Sequence, residues 1–265
     1  MSDGGKVAGQ VVVITGAGSG IGRAVAVALA GEGARLALLD IDARAAEAVA
    51  GEVDGAIAVA CDVAEHAQVQ GAFALVEERL GGVDVLVNNA IAPVPRSHPE
   101  DLELERWEHS LRVNLTGYFL CAQEAGRRMI AAGNGGAIVN VSSINGSSAV
   151  GRGNFAYSVT KAGVNQMTRE LAIEWAPHRI RVNAVQPCQT RTAKLAEVLD
   201  HPDVAAQSVV ADMLRGIPLA RFAEPEEIAA AVVFLASAQA SMITGVLLPV
   251  DGGNLAFNAG GTVIW

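Results

Sequence analysis

The sequence predicts an α/β protein: a doubly wound parallel seven-stranded sheet forming a single domain over residues 1–265. Three observations lead there. Short apolar runs rich in β-branched residues alternate with alanine-rich helical stretches along the chain. The runs are apolar almost throughout, not alternately polar, which suits strands covered on both faces. No linker-like or low-complexity segment divides the 265 residues, and at 51% hydrophobic they can fill one large core.

The elements follow in order. The run VVVIT (11–15) ends in glycines and leads into the helical stretch IGRAVAVALAGEG, closed by Gly31 or Gly33. RLALLD (35–40), AIAVACDV and VDVLVNNA (83–90) read as the next three strands, separated by helices on ARAAEAVAGEV and EHAQVQGAFALVEERLG. A long helical region is expected over about 102–131, then the strand GAIVNVSS (136–143) and a helix carrying Tyr157. The strand IRVNAVQP, helices on KLAEVLD and EPEEIAAAVVFLAS, and the strand GVLLPVDGG complete the pattern. Residues 93–101 and an excursion at about 188–219 read as long loops. In such sheets ligands sit at the carboxyl ends of strands, so the loops after strands are where chemistry should gather.

Charge and cysteine usage narrow the function. A net charge of −9 argues against general nucleic-acid binding, which needs a basic footprint. Cys61, Cys121 and Cys188 are far apart, and no CxxC, Cys/His cluster or HExxH is present, so neither a metal site nor a disulfide framework is expected. The segment MSDGGKVAGQ lacks the apolar core of a signal peptide, and the apolar run 228–236 is nine residues, too short to span a bilayer. A cytoplasmic protein without membrane partners is the expectation.

The first strand-to-helix turn, TGAGSGIG (15–22), has glycines at 16, 18, 20 and 22. Glycines there permit a tight turn and close backbone approach, and the following helix offers free N–H groups to a pyrophosphate. This departs from strict GxGxxG spacing but shares its physics. Gly16, Ser19, Gly20, Ile21 and Gly22 are therefore candidate cofactor contacts. Asp40 ends the second strand, about eighteen residues beyond Gly22, where a carboxylate can accept from ribose hydroxyls and repel a 2′-phosphate. NAD is therefore favoured over NADP, although Arg44 stands nearby; the competing role for Asp40 is a helix N-cap. Asp62 and Val63 after the third strand are expected near the adenine.

Tyr157 and Lys161, in YSVTK, are spaced to share a helix face. Oxidising an alcohol needs a base near its hydroxyl proton, and a free phenol, with a pKa near 10, is too weakly ionised. A nearby ammonium favours the phenolate.

At this point the chain resembles the short-chain dehydrogenase/reductase family from about Val11 to Gly253. TGAGSGIG looks like its TGxxxGxG motif, NNAI (88–91) its NNAG motif, and VSS (141–143) with YSVTK its Ser and YxxxK signature; RVNAVQP and VDGG match later signatures. The resemblance implies a Rossmann-like fold, a nicotinamide cofactor and usually a homotetramer. It implies Tyr157 as acid/base, Lys161 as its tuner and ribose ligand, Ser143 as holder of the substrate oxygen, and Asn114 as organiser of a water linked to the lysine. Ser142 is the competing serine, because Ser143 to Tyr157 is fourteen residues where the family commonly has thirteen. Asn88, Asn89 and Ala90 are expected against the cofactor, 185–189 with Pro187 around the nicotinamide, and Thr190 and Thr192 near the cofactor. Ile91 and Cys188 stand where the family usually has glycines.

The loops expected to face substrate are polar and carry Arg96, Asn145, Arg152 and Gln189, while aromatics are only 4% of the chain. A small hydrophilic secondary alcohol, sugar or polyol is therefore expected, with Arg96 or Arg152 either holding an anionic group on it or simply solvated. A 3-oxoacyl thioester reductase is the alternative, and a non-catalytic nucleotide sensor a remote one. The apolar tail ending VIW packs either on a neighbouring subunit or on its own domain.

Overall fold

The structure, a computed structural model, describes residues 5–92, 96–149, 151, 153–193, 195–196 and 210–257. Seven parallel strands form one sheet in the order β3-β2-β1-β4-β5-β6-β7. They are β1 (Val11–Thr15), β2 (Arg35–Asp40), β3 (Ala56–Ala60), β4 (Val85–Asn88), β5 (Gly136–Val141), β6 (Ile180–Pro187) and β7 (Leu247–Val250). The chain runs outward from β1 through β2 to β3, then returns to lay β4 against the other side of β1. The crevice at the carboxyl ends of β1 and β4 is the topological switch point, the place where this architecture binds ligands.

The helices are α1 (Gly20–Gly31), α2 (Ala43–Ala50), α3 (His66–Leu80), α4 (Leu104–Leu111), α5 (Gly117–Ala132), α6 (Phe155–Glu174) and α7 (Pro225–Ala236). Because side chains alternate across a strand, each strand feeds two cores. Val12, Ile14, Leu36 and Leu38 join α1 and α7 on one face. Val13, Ala37, Leu39 and Ile138 meet Phe73 of α3 and Cys121 and Met129 of α5 on the other. Each fully buried aliphatic side chain of this kind contributes about 1.5–3 kcal/mol.

Four boundaries differ from the sequence expectation, and each matters for the site. The predicted helix over 102–131 is two helices joined by a π turn, Arg112–Thr116, where the Gly117 amide reaches back to the Arg112 carbonyl. The wider turn rotates α5 about its axis relative to α4, and Asn114 sits within it. Strand β5 stops at Val141; the Ser142 amide still donates to the Val185 carbonyl of β6, and Ser143 leaves the sheet. Asp42, not Asp40, caps α2, its carboxylate accepting from the amides of Arg44 and Ala45. The loop after β4 contains a short 3-10 turn at Pro99–Asp101. The helix expected on KLAEVLD and the tail beyond Phe257 fall largely outside the described residues.

Candidate active site

The glycine turn is built by close approach. A Cβ on Gly22 would lie 2.0 Å from the Gly16 carbonyl oxygen, and one on Gly16 would lie 2.8 Å from the Ala90 Cα. Side chains are excluded because the start of α1, the turn and the end of β4 occupy one another's space. Asn89 locks the arrangement, its Nδ2 donating to the carbonyls of Thr15 and Gly16 at 3.1 and 2.9 Å. The Thr15 hydroxyl accepts from the amides of Asn89 and Ala90. Ser19 is the N-cap of α1, but its side chain makes no cap bond and the first turn carries no acid. The turn thus presents backbone donors and a favourable dipole to an anion.

Of the residues expected at a dinucleotide, Asp40, Asn89, Ala90 and Thr192 stand at this cradle. Asp40 accepts from the Gly18 amide at 2.8 Å through Oδ2 and from the Asp42 amide through Oδ1. Thr192 lies against the turn, its Cγ2 3.2 Å from where a Gly20 Cβ would be. Ile21 is partly buried against the α1 core. Asp62 accepts from the Ala64 amide, and Val63 is buried against Gly117. Pro187 ends β6, and the Thr190 hydroxyl donates to the Cys188 carbonyl. A glycine cradle with no competing side chain, flanked by a carboxylate at the end of β2, fits a dinucleotide. Asn88 differs from expectation. It is fully buried, donating to the Tyr118 carbonyl and to Asn140 Oδ1, because its side chain points into the layer below the cleft.

The structure brings Ser143, just beyond β5, to Tyr157 and Lys161 of α6, while Asn114 sits in the π turn. The Ser143 side chain faces the Tyr157 phenol closely enough to pull its pKa down. The Ser143 Oγ also accepts from the Asn145 amide, which begins the 3-10 turn at Ile144–Gly146. Ser142 turns away, donating to Asn165 Oδ1 at 2.6 Å. Asn114 is fully buried and accepts from the Ala92 amide at 2.8 Å, tying the π turn to the chain leaving β4.

Lys161 is fully buried. Its Nζ donates to the Val141 carbonyl at 2.6 Å and to the Tyr118 hydroxyl at 3.0 Å, and sits 4.6 Å from the Tyr118 ring and 5.7 Å from the Tyr157 ring. Burial lowers the Lys161 pKa to about 7. Burial also pushes the Tyr157 phenol up, while the Ser143 hydrogen bond pulls it down. The sequence argument had the ammonium lowering the phenol pKa; it lacked the desolvation that acts on both groups. Tyr118, the second of only two tyrosines, escaped notice in the sequence. Its position four residues after Asn114 was the available signal, but the π turn and β5 bring it beneath the lysine.

Of the substrate candidates, Asn145 approaches Ser158 through Nδ2, and Gln189 has a buried Oε1 with no hydrogen-bond partner. Arg96 is exposed, beside Gly153, where a bridge from Ser97 to Asn154 joins the loop to the start of α6. Arg152 lies outside the described residues. Ile91 is 54% exposed. Cys188 is partly buried at the end of β6, and burial, with Asp251 adding to it, raises its thiol pKa to about 11.

A parallel sheet with a glycine cradle at its switch point and a Ser/Tyr/Lys cluster beside it defines a nicotinamide-dependent oxidoreductase. A family model described as enoyl-(acyl carrier protein) reductase matches residues 16–254. The chain is 43% identical to D-threitol dehydrogenase of Mycolicibacterium smegmatis, covering 94% of both chains. It is 39% identical to NAD-dependent glycerol dehydrogenase of Listeria innocua, again covering 94% of each. It superposes with a TM-score of 0.84, at 37% identity, on 3-ketoacyl-(acyl-carrier-protein) reductase of Brucella melitensis complexed with NADH, covering 94% of this chain and 99% of that one. The chain belongs to the short-chain dehydrogenase/reductase family.

Two outcomes check this geometry. Gly22→Val should abolish dinucleotide binding or fold poorly, measured by cofactor fluorescence titration and thermal unfolding; wild-type behaviour in both would contradict the close approach. For Lys161, the folded pKa is depressed, so between pH 7 and 10.5 the unfolded chain binds more protons and this group's contribution to stability rises with pH. Wild type should therefore gain on the order of 2 kcal/mol relative to Lys161→Met between about pH 7 and 9 in urea unfolding without cofactor.

Proposed function

We propose that this protein is an NAD-dependent dehydrogenase of a small hydrophilic secondary alcohol, a polyol or sugar, interconverting it with its carbonyl form. The observation that carries the reading is the Tyr157 phenol beside the Ser143 side chain, with the fully buried Lys161 nitrogen 5.7 Å from the Tyr157 ring. Relatives named for threitol and glycerol support a polyol, as do the polar loops around the pair.

When bound, the nicotinamide accepts or returns a hydride. Gly16, Gly20 and Gly22 with the start of α1 would hold the pyrophosphate, Asp40 the adenosine ribose, and Thr192 the far side of the turn. Ser143 would hold the substrate oxygen, and Tyr157 would take the hydroxyl proton at its phenolic oxygen or return it in reduction. Lys161 would favour the phenolate and meet the nicotinamide ribose, and Asn114 would order the polypeptide behind it. NAD is preferred in this reading because the Asp40 carboxylate, at the end of β2 beside the glycine turn, would repel a 2′-phosphate. Reduction of a 3-oxoacyl thioester is the second reading, supported by the likeness to the Brucella enzyme.

We also propose a cytoplasmic homotetramer. Three free cysteines suit a reducing compartment, and no helix among the described residues is long and apolar enough to cross a membrane. Phe119 on α5 and Val159 and Ile173 on α6 expose apolar surface suited to a subunit contact.

Turnover of tetritols, glycerol, hexitols and a 3-oxoacyl thioester, each with NAD(H) and NADP(H), tests substrate and cofactor together. Polyol oxidation with NAD should dominate; equal use of NADP would remove the Asp40 argument, and thioester reduction alone would favour the second reading. Tyr157→Phe should lower kcat by about 10²–10⁴ with little change in NAD affinity. Sedimentation should show a tetramer; a monomer at micromolar concentration would refute the assembly.

A further inference from the structure

Beside Ser143 lies a polar cluster, buried at Gln186, Asn165 and Ser142 and exposed at Ser147, that the reaction does not itself require. Gln186, on β6 one residue before Pro187, is 2% exposed. An aliphatic residue would be ordinary at the end of a buried parallel strand. The glutamine instead donates from Nε2 to the Ser147 Oγ at 2.6 Å and to the Ser143 carbonyl at 3.3 Å. Ser147 Oγ also accepts from Asn165 Nδ2 at 3.3 Å, and Asn165 Oδ1 accepts from Ser142 Oγ at 2.6 Å. The short turn between β5 and α6 is thereby tied to β6 on one side and α6 on the other. Gly146 leaves room for these bonds, since a Cβ there would lie 2.6 Å from Asn165 Nδ2 and 2.7 Å from the Lys161 carbonyl oxygen.

We infer that Gln186 is a positioning residue for Ser143, with Ser147 as its second anchor. The inference rests on the reading of Ser143 given above. The last bond of the β5–β6 ladder runs from the Ser142 amide to the Val185 carbonyl at 2.9 Å, one residue short of Ser143. The fourteen-residue span from Ser143 to Tyr157 also leaves the connecting turn longer than the family's common spacing. The Ser143 carbonyl accepts from the Gly146 amide within its own turn at 3.0 Å; the Gln186 amide adds the bond that ties that carbonyl to β6, and so aims the hydroxyl at Tyr157. It does so from the strand whose end borders Pro187, so the wall of the cofactor cleft and the serine are held by one side chain. Buried polar groups bonded to one another in this way are rigid, because each unmade bond carries a full desolvation cost.

The test is a double-mutant cycle in the full-length enzyme with its best polyol and NAD. Gln186→Met keeps the volume and removes the donor. It should lower kcat by about tenfold to a hundredfold, as expected for a displaced reacting geometry, with KM for NAD within about twofold. In a Ser143→Ala background the same change should cost less than about twofold, because no hydroxyl is left to aim. Ser147→Ala, at an exposed residue, should give a smaller loss with the same non-additivity, and it serves if Gln186→Met does not fold. Equal losses in both backgrounds, or no loss in either, would overturn the role of Gln186 alone. Full activity of Ser143→Ala would remove the reading of Ser143 and the inference with it.

Discussion

The buried nitrogen of Lys161 is the constraint on which the rest of the site depends. Removing an ammonium from water costs several kcal/mol unless polar groups replace its hydration. Two do so here, the Val141 carbonyl at the end of β5 and the Tyr118 hydroxyl on α5. Supplying them dictates where β5 stops, because a carbonyl still paired in the ladder would be a poorer acceptor. It also dictates the phase of α5, and the π turn at Arg112–Thr116 provides that phase. Burial still outweighs these two acceptors and lowers the lysine pKa to about 7.

The cofactor cleft obeys a different rule, steric exclusion. Gly16, Gly22, Ala90 and Asn89 occupy a volume in which a single extra methyl has no place. The amide of Asn89 and the hydroxyl of Thr15 convert that closeness into hydrogen bonds between β1 and β4. The switch point is thus held shut on its inner side; the Ala17 and Gly18 amides pair with Leu39 and Asp40, leaving the first turn of α1 to meet a ligand. A ligand there meets a preorganised surface and does not have to order the loop itself.

Between the sheet and α6 lies a layer of buried amides and hydroxyls. Asn88 donates to Asn140, Asn140 to Thr168, and Thr168 to the Val164 carbonyl. The cluster of Ser142, Asn165, Ser147 and Gln186 continues this layer toward the cleft. Such a layer is directional where an aliphatic core is not, and it sets the angle at which α6 presents Tyr157 and Lys161 to the carboxyl ends of the strands.

The architecture is legible in the residue pattern alone, because apolar runs alternating with helical stretches have few solutions other than a parallel sheet covered on both faces. The sequence also disclosed Gly16, Gly22, Ser143, Tyr157 and Lys161 as candidates, because each belongs to a short motif whose residue types already imply chemistry. Tyr118, Gln186 and Asn165 were not legible, since their partners lie on other elements and no local spacing marks them. The orientation of the two serines was likewise decided only in three dimensions: Ser142 meets Asn165 and Ser143 meets Tyr157, a choice made by where β5 ends and α6 crosses it. The proton affinities of Lys161 and Tyr157 were decided there too. A motif states which charges are near one another, but desolvation depends on everything packed around them, and only the folded chain supplies that.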